Sequence, residues 1–154
     1  LDFGTGDFTI GCWARFGFEN KGSTWNSIVS LGGTIVSTTS AGLATKSEKF
    51  YFNIGGTTTI GSTPTLVVGD WYHVVGTRTG TTMRLYIDSV VESSTATSSQ
   101  TVTNTASKII GEDGDASYNR AYEDAIDGVL IYNRALSLEE VQRNYKATKG
   151  SHGN

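Results

Sequence analysis

Apolar residues alternate with polar or small ones along most of this chain, and the alternation has a period of two. Between Phe8 and Phe18, one face collects Phe8, Ile10, Cys12, Ala14 and Phe16, and the other Thr9, Gly11, Trp13, Arg15 and Gly17. This is the pattern of a long strand with one buried face and one partly polar face. The run from Gly69 to Asp88 is the most diagnostic. Trp71, His73 and Val75 alternate with Tyr72, Val74 and Gly76. Both faces are partly apolar, which predicts a strand with neighbours on both sides. Thr79-Gly80-Thr81 supplies a turn, and a second strand follows with Met83, Leu85 and Ile87 opposite Arg84 and Tyr86. Asp88-Ser89 then reads as a second two-residue turn before Val90-Val91. Glycine would suit the second position better than Ser89, so mild strain or a longer loop is expected there.

The same reading places strands at Ser27–Leu31, ended by Gly32-Gly33, and at Phe50–Ile54 and Thr57–Ile60 around Gly55-Gly56. Residues 34–48 suggest one more strand and a long loop. Pro64 marks the passage to the central hairpin. The Ser/Thr-rich stretch 93–107 reads as strand and loop, and Lys108–Gly111 restarts a strand. A long acidic loop covers Glu112–Asn119, with two late strands expected at Ala121–Asp124 and Gly128–Tyr132. One helix follows. Ser137 is its N-cap and Glu140 its N3 residue, a capping box, with Leu136 and Val141 placed to form a hydrophobic staple. Val141 and Tyr145 lie four apart and should dock on a sheet. Lys146, Lys149 and Gly150 end the helix, and Ser151–Asn154 are expected to fray as a tail.

At 154 residues the chain is expected to form one domain, residues 1–150, plus that tail. Charged residues make up only 18 %, with Thr and aromatics favouring strands and Gly favouring turns, so the fold class is all-β. Net charge is −3 with no basic stripe, which argues against a nucleic-acid partner. No apolar run is long enough to insert in a bilayer. Cys12, the single cysteine, excludes an internal disulfide and reads as a buried core residue. No signal peptide or N-glycosylation acceptor is visible. The chain opens abruptly at Leu1-Asp2-Phe3-Gly4, in what reads as a first strand, so it is expected to be part of a longer chain or a multi-subunit assembly.

Two runs carry a resemblance. Trp71-Tyr72-His73-Val74-Val75-Gly76 with Leu85-Tyr86-Ile87-Asp88 is one. The more specific is Ala125-Ile126-Asp127-Gly128-Val129-Leu130-Ile131-Tyr132-Asn133-Arg134-Ala135-Leu136-Ser137. Together the chain resembles the laminin-G-like and pentraxin-like domains of the concanavalin A-like lectin/glucanase superfamily. It departs at Asp88-Ser89, where members usually have Asp-Gly. The resemblance implies a two-layer antiparallel β-sandwich of jelly-roll type with one short C-terminal helix.

Glucanases of the superfamily carry Glu-x-Asp-x-x-Glu on one strand, where alternate carboxylates share a face. Glu19, Glu48, Glu92, Glu112, Glu123, Glu139 and Glu140 all lack that spacing. His73 reads as a satisfied core histidine and His152 as part of the tail, so no catalytic residue is assigned and no enzyme is expected. Glu112, Asp113 and Asp115 form a cluster of hard oxygen ligands suited to Ca²⁺. The resemblance to pentraxins implies the same loop, although the Asp-Asn partner pair of that group is missing. The glucanase branch implies Asp127 as a structural calcium ligand; capping a turn is the alternative reading. For a sugar, an aromatic plate beside amides and carboxylates is required. Tyr118, Asn119 and Tyr122 with Asp113 and Asp115 meet that description, and Trp25 is a second plate. Arg120 and Arg134 are expected to pair with nearby carboxylates. The leading expectation is a non-catalytic binding or adhesion module for carbohydrate or cell-surface glycan, with calcium dependence a further expectation, in an extracellular or virion-associated setting. The alternative is a structural or oligomerising module of a larger extracellular or viral assembly, of the phage tail or capsid type.

Overall fold

The computed structural model describes residues 2–18, 23–56, 58–62, 65–103, 107–114, 117 and 119–153. Among these residues the chain forms eleven strands: β1 (Phe8–Arg15), β2 (Asn26–Leu31), β3 (Ala41–Lys46), β4 (Lys49–Ile54), β5 (Thr58–Gly61), β6 (Trp71–Thr79), β7 (Thr82–Ile87), β8 (Val90–Val91), β9 (Ala96–Thr97), β10 (Lys108–Ile110) and β11 (Ile126–Tyr132). They build two antiparallel sheets. One runs β11-β1-β6-β7-β8 with β9 also pairing β7, and the other runs β10-β2-β3-β4-β5. Helix α1 (Leu138–Thr148) follows, then a 3₁₀ turn at Lys149–Ser151.

Alternation decides how the sheets face each other. Phe8, Ile10, Cys12, Ala14 and Phe16 point into a core shared with Leu43, Phe50, Phe52, Ile54, Val74 and Leu85. The Cys12 thiol is pushed up to about 12 by that burial, so it behaves as a small apolar group. At Gly76 a Cβ would overlap the ring of Phe52 across the core, so the residue there must be glycine for the sheets to close. β1 is not polar on its other face in the way its sequence suggests. Thr9 and Trp13 are buried there too, because α1 covers that side of the sheet. A second small core of Val75, Tyr86, Leu136 and Val141 seals this outer layer. The expected capping box is formed: Glu140 N–H donates to Ser137 Oγ, and Ser137 N–H donates to Glu140 Oε2. Arg134 holds Glu140 through two bonds of 2.7 Å, and Arg120 pairs with Asp113, as the sequence leads one to expect.

The expected two-residue turn forms at Asp88-Ser89, with both residues in the left-handed region at φ 50° and 68° rather than in a longer loop, and two features depart from the sequence reading. Asp88 Oδ1 accepts the His73 N–H at 2.9 Å, and that bond anchors the turn. Residues 121–124 are not a strand. This segment crosses from one sheet to the other: Ser27 N–H donates to Arg120 O and Arg15 N–H donates to Ala125 O, leaving only an isolated bridge at Ala121. Arg78, near the end of β6, is fully buried. Its guanidinium donates to the carbonyls of Gly4, Gly6 and Gln100 and lies 4.8 Å from the centroid of Phe8. His152 is not part of a frayed tail either. It is buried, because its ring stacks on Trp13 and meets Trp71 edge-on.

Candidate functional site

Trp25 precedes β2, where the chain pairs with the end of β3. Tyr51 in β4 meets the indole edge-on, with centroids 5.0 Å apart and planes at 75°. The Lys46 ammonium lies 4.8 Å from the indole centroid, a cation–π distance. The indole is thus fixed in position yet only half-buried. The segment 119–121 is drawn alongside by two bonds to the start of β2. Asn26 Nδ2 donates to Ala121 O at 3.0 Å, and Ser27 N–H donates to Arg120 O at 2.7 Å. Thr24, Trp25, Asn119 and Arg120 consequently line one cavity of about 400 Å³.

Behind this cleft lies a buried ion pair. Arg120 Nη1 donates to Asp113 Oδ2 at 3.0 Å, and the amide of Ile35 donates to the same oxygen at 3.2 Å. The Asp113 carboxylate has no exposed surface. A pair of this kind is held by its geometry, and breaking it would strand a buried charge.

Of the residues singled out from sequence, Trp25 and Asn119 come together although 94 positions separate them in the chain. Asp113 stands beneath the cleft as the partner of Arg120 rather than as an open carboxylate. Tyr122 does not present its ring to a ligand: it is in the main core, and its hydroxyl donates to Arg15 O at 2.8 Å. Burial pushes its phenol well above the ordinary tyrosine range. Glu112 is exposed. Asp115 and Tyr118 lie outside the described residues. Lys46 and Tyr51 were missed. Period two sets them on the same face of the five-stranded sheet, but only the strand order shows that this face meets Trp25.

The described part of the acidic loop does not fit a calcium site. Its one fully buried carboxylate, Asp113, is already neutralised by a guanidinium 3.0 Å away, which opposes a second cation. Asp127 is engaged as well: Oδ1 accepts the Gly128 N–H at 2.7 Å, and Oδ2 lies 3.0 Å from His152 Nε2. Among the described residues, no three His, Cys, Asp or Glu side chains converge in a way that would hold a metal ion. No described helix is long and apolar enough to cross a membrane.

The sandwich, the sheet order and the capping helix agree with a family match over residues 1–142, to a laminin-G-type model of the concanavalin A-like lectin/glucanases superfamily. The chain belongs to this superfamily. No curated protein matches its sequence. Among solved structures, Trypanosoma rangeli sialidase superposes with a TM-score of 0.74 at 16 % identity, over 99 % of this chain and 24 % of the sialidase. A proposed carbohydrate-binding protein from Bacteroides ovatus gives 0.73 at 16 % identity, over 93 % of this chain and 41 % of that one. The heptameric SAP-like pentraxin of Limulus polyphemus gives 0.66 at 14 % identity, over 88 % of this chain and 68 % of that one. At such identities the likeness is one of fold. This lectin-like chain spans about a quarter of the sialidase and about two-fifths of the Bacteroides protein.

Proposed function

We propose that this lectin-like domain is a non-catalytic carbohydrate-binding module whose ligand site is the Trp25 cleft. The observation that carries this reading is the placement of a half-exposed indole beside Asn119, Arg120 and Thr24 in one cavity. An indole offers an apolar plate to the C–H face of a sugar, while amide, hydroxyl and guanidinium groups serve its hydroxyls. The plate is held by Tyr51 and the wall by the Arg120–Asp113 pair, so the site is formed before the ligand arrives. The Bacteroides neighbour supports the ligand class, and the family supports the scaffold. The reading assigns no role to calcium. It places the domain outside the cell or on a virion, where glycans are met. The test is a glycan array probed with the wild-type domain and with Trp25→Ala. Glycan binding by the wild type that is lost in the variant supports the site; equal binding by both would place the ligand elsewhere.

A specific observation favours assembly as a second reading. Val67, Val68, Val90 and Val91 are 57, 43, 67 and 42 % exposed, and Val90-Val91 form an edge strand of the six-stranded sheet. Apolar side chains on an open edge favour self-association. Sedimentation of the purified domain separates the two: a monomer with glycan affinity supports the lectin, and a stable oligomer without it supports a structural module.

A further inference from the structure

The outer face of the six-stranded sheet holds a histidine that the proposed sugar site does not use. His73, in the middle of β6, is 3 % exposed. Its ring lies 5.2 Å from Trp13 on β1 and 5.8 Å from Tyr145 on α1. Its Nδ1 is buried without a hydrogen-bond partner. Above it sits a cavity of about 250 Å³ under the end of α1, lined by Trp13, His73, Asn144, Thr148 and His152 among others. The roof of that cavity is made by the last turn of the helix and the 3₁₀ turn.

The helix is fastened at its two ends by different chemistry. At the N-terminal end, Val141 is fully buried with Leu136, and Arg134 grips Glu140. Neither contact involves the His73 ring. At the C-terminal end, Trp13 Nε1–H donates to Thr148 Oγ1 at 2.8 Å, and His152 stacks on Trp13. His152 Nδ1 lies 3.0 Å from Thr148 O and its Nε2 3.0 Å from Asp127 Oδ2. Both of those oxygens are acceptors only, so the ring makes both bonds when both nitrogens carry protons. His152 stacks on the same indole that His73 packs against.

We propose that His73 is the trigger of an acid-released clasp, in which protonation of its buried ring undocks Tyr145–His152 from the sheet while the N-terminal half of α1 stays in place. A charge on His73 would be desolvated and would leave its Nδ1–H without an acceptor. Burial first, and His152 second, already hold His73 down at about 4. The sign follows. A group whose folded value is depressed adds stability that is complete above its ordinary value, near 6.5, and is lost as pH falls towards 4. The other charged or titratable groups around the ring are few. Asp88 in the β7–β8 turn accepts the His73 amide, Tyr145 faces it from α1, and His152 faces it from the 3₁₀ end with Asp127 of β11 behind. Lys149 lies over Tyr145 and acts on Asp88. Of these, Asp88, whose carboxyl burial pushes up, loses its negative charge in acid, which removes a nearby carboxylate able to offset the new charge.

The test follows amide exchange by NMR at Tyr145–His152 and at Val141 while pH is lowered from 7 to 4, in the wild type and in His73→Phe, with the His73 ring titrated in the same wild-type samples. Protection at 145–152 should fall at least tenfold between pH 6 and 4 while that at Val141 holds, and the His73 ring of the folded state should titrate well below 6.5. In His73→Phe the loss should vanish over this range. A His73 ring that titrates near 6.5 without loss of protection would overturn the proposal, as would an equal loss in His73→Phe. Should that variant fail to fold, the wild type alone still decides: protection at 145–152 that holds down to pH 4, or a His73 ring at its ordinary value, overturns the proposal.

Discussion

The imidazole of His152 lies flat on the indole of Trp13, with ring centroids 4.2 Å apart and planes 7° from parallel. This contact ties residues separated by 139 positions and fixes the end of the chain on the outer face of the six-stranded sheet. Trp71 meets the same imidazole edge-on at 4.9 Å, so three rings from β1, β6 and the C-terminal turn form one cluster. His152→Ala should remove both ring contacts and the bond to Asp127. We expect a loss of about 1–3 kcal/mol in urea unfolding at pH 6.5, with lower near-UV dichroism from tryptophan. An unchanged midpoint would show that the cluster adds nothing to stability.

Arg78 is the other buried polar anchor. Its guanidinium serves three backbone carbonyls and so fastens the N-terminal segment to the loop before β10. Burial lowers its pKa, in keeping with a cation that has left water. Arg78→Leu leaves Gly4, Gly6 and Gln100 carbonyls unserved, and we expect a cost of about 3–5 kcal/mol in the same denaturation. Arg78→Lys should recover little of it, since an ammonium cannot reproduce the planar fork.

The turn at Asp88-Ser89 needs left-handed backbone at both residues. Ser89→Gly relieves that conformation without touching the Asp88–His73 bond. A gain of about 0.5–1 kcal/mol is expected, read as a higher Tm. A fall in Tm would mean that the Ser89 side chain stabilises the turn.

Asp113 serves Arg120 rather than an open ligand position. Asp113→Ala should lower stability by about 3 kcal/mol and to the same extent in EDTA and in calcium. If the wild type alone gained stability with calcium, in a saturable way that the variant lost, the acidic loop would be a metal site after all.

How much of this could be read from the chain is uneven. The strand faces, the hairpins at Gly55-Gly56 and Gly80, and the Ser137–Glu140 capping box are local: each depends on residues a few positions apart. The cluster of His152 with Trp13 is not local, and a polar C-terminal run after a lysine-rich helix end reads as loose. Arg78 was hidden for a similar reason. Its partners are backbone carbonyls, which carry no residue signature. At the cleft, Trp25 and Asn119 each stood out by chemistry, but their meeting depends on the bonds from Asn26 and Ser27 to residues 120–121. Tyr122 reads as a sugar plate because it follows the acidic loop, and its burial depends on a segment that crosses between the sheets.

The most direct test of the central claim is the indole N–H spectrum of the wild-type domain, titrated with the strongest glycan from the array. Three indoles should be resolved, for Trp13, Trp25 and Trp71. Trp13 Nε1–H is tied to Thr148 and should stay fixed. The account predicts a saturable shift of the Trp25 signal, with Asn119 and Thr24 amides moving alongside and Trp13 and Trp71 unchanged. Saturable binding that leaves Trp25 unmoved would contradict it.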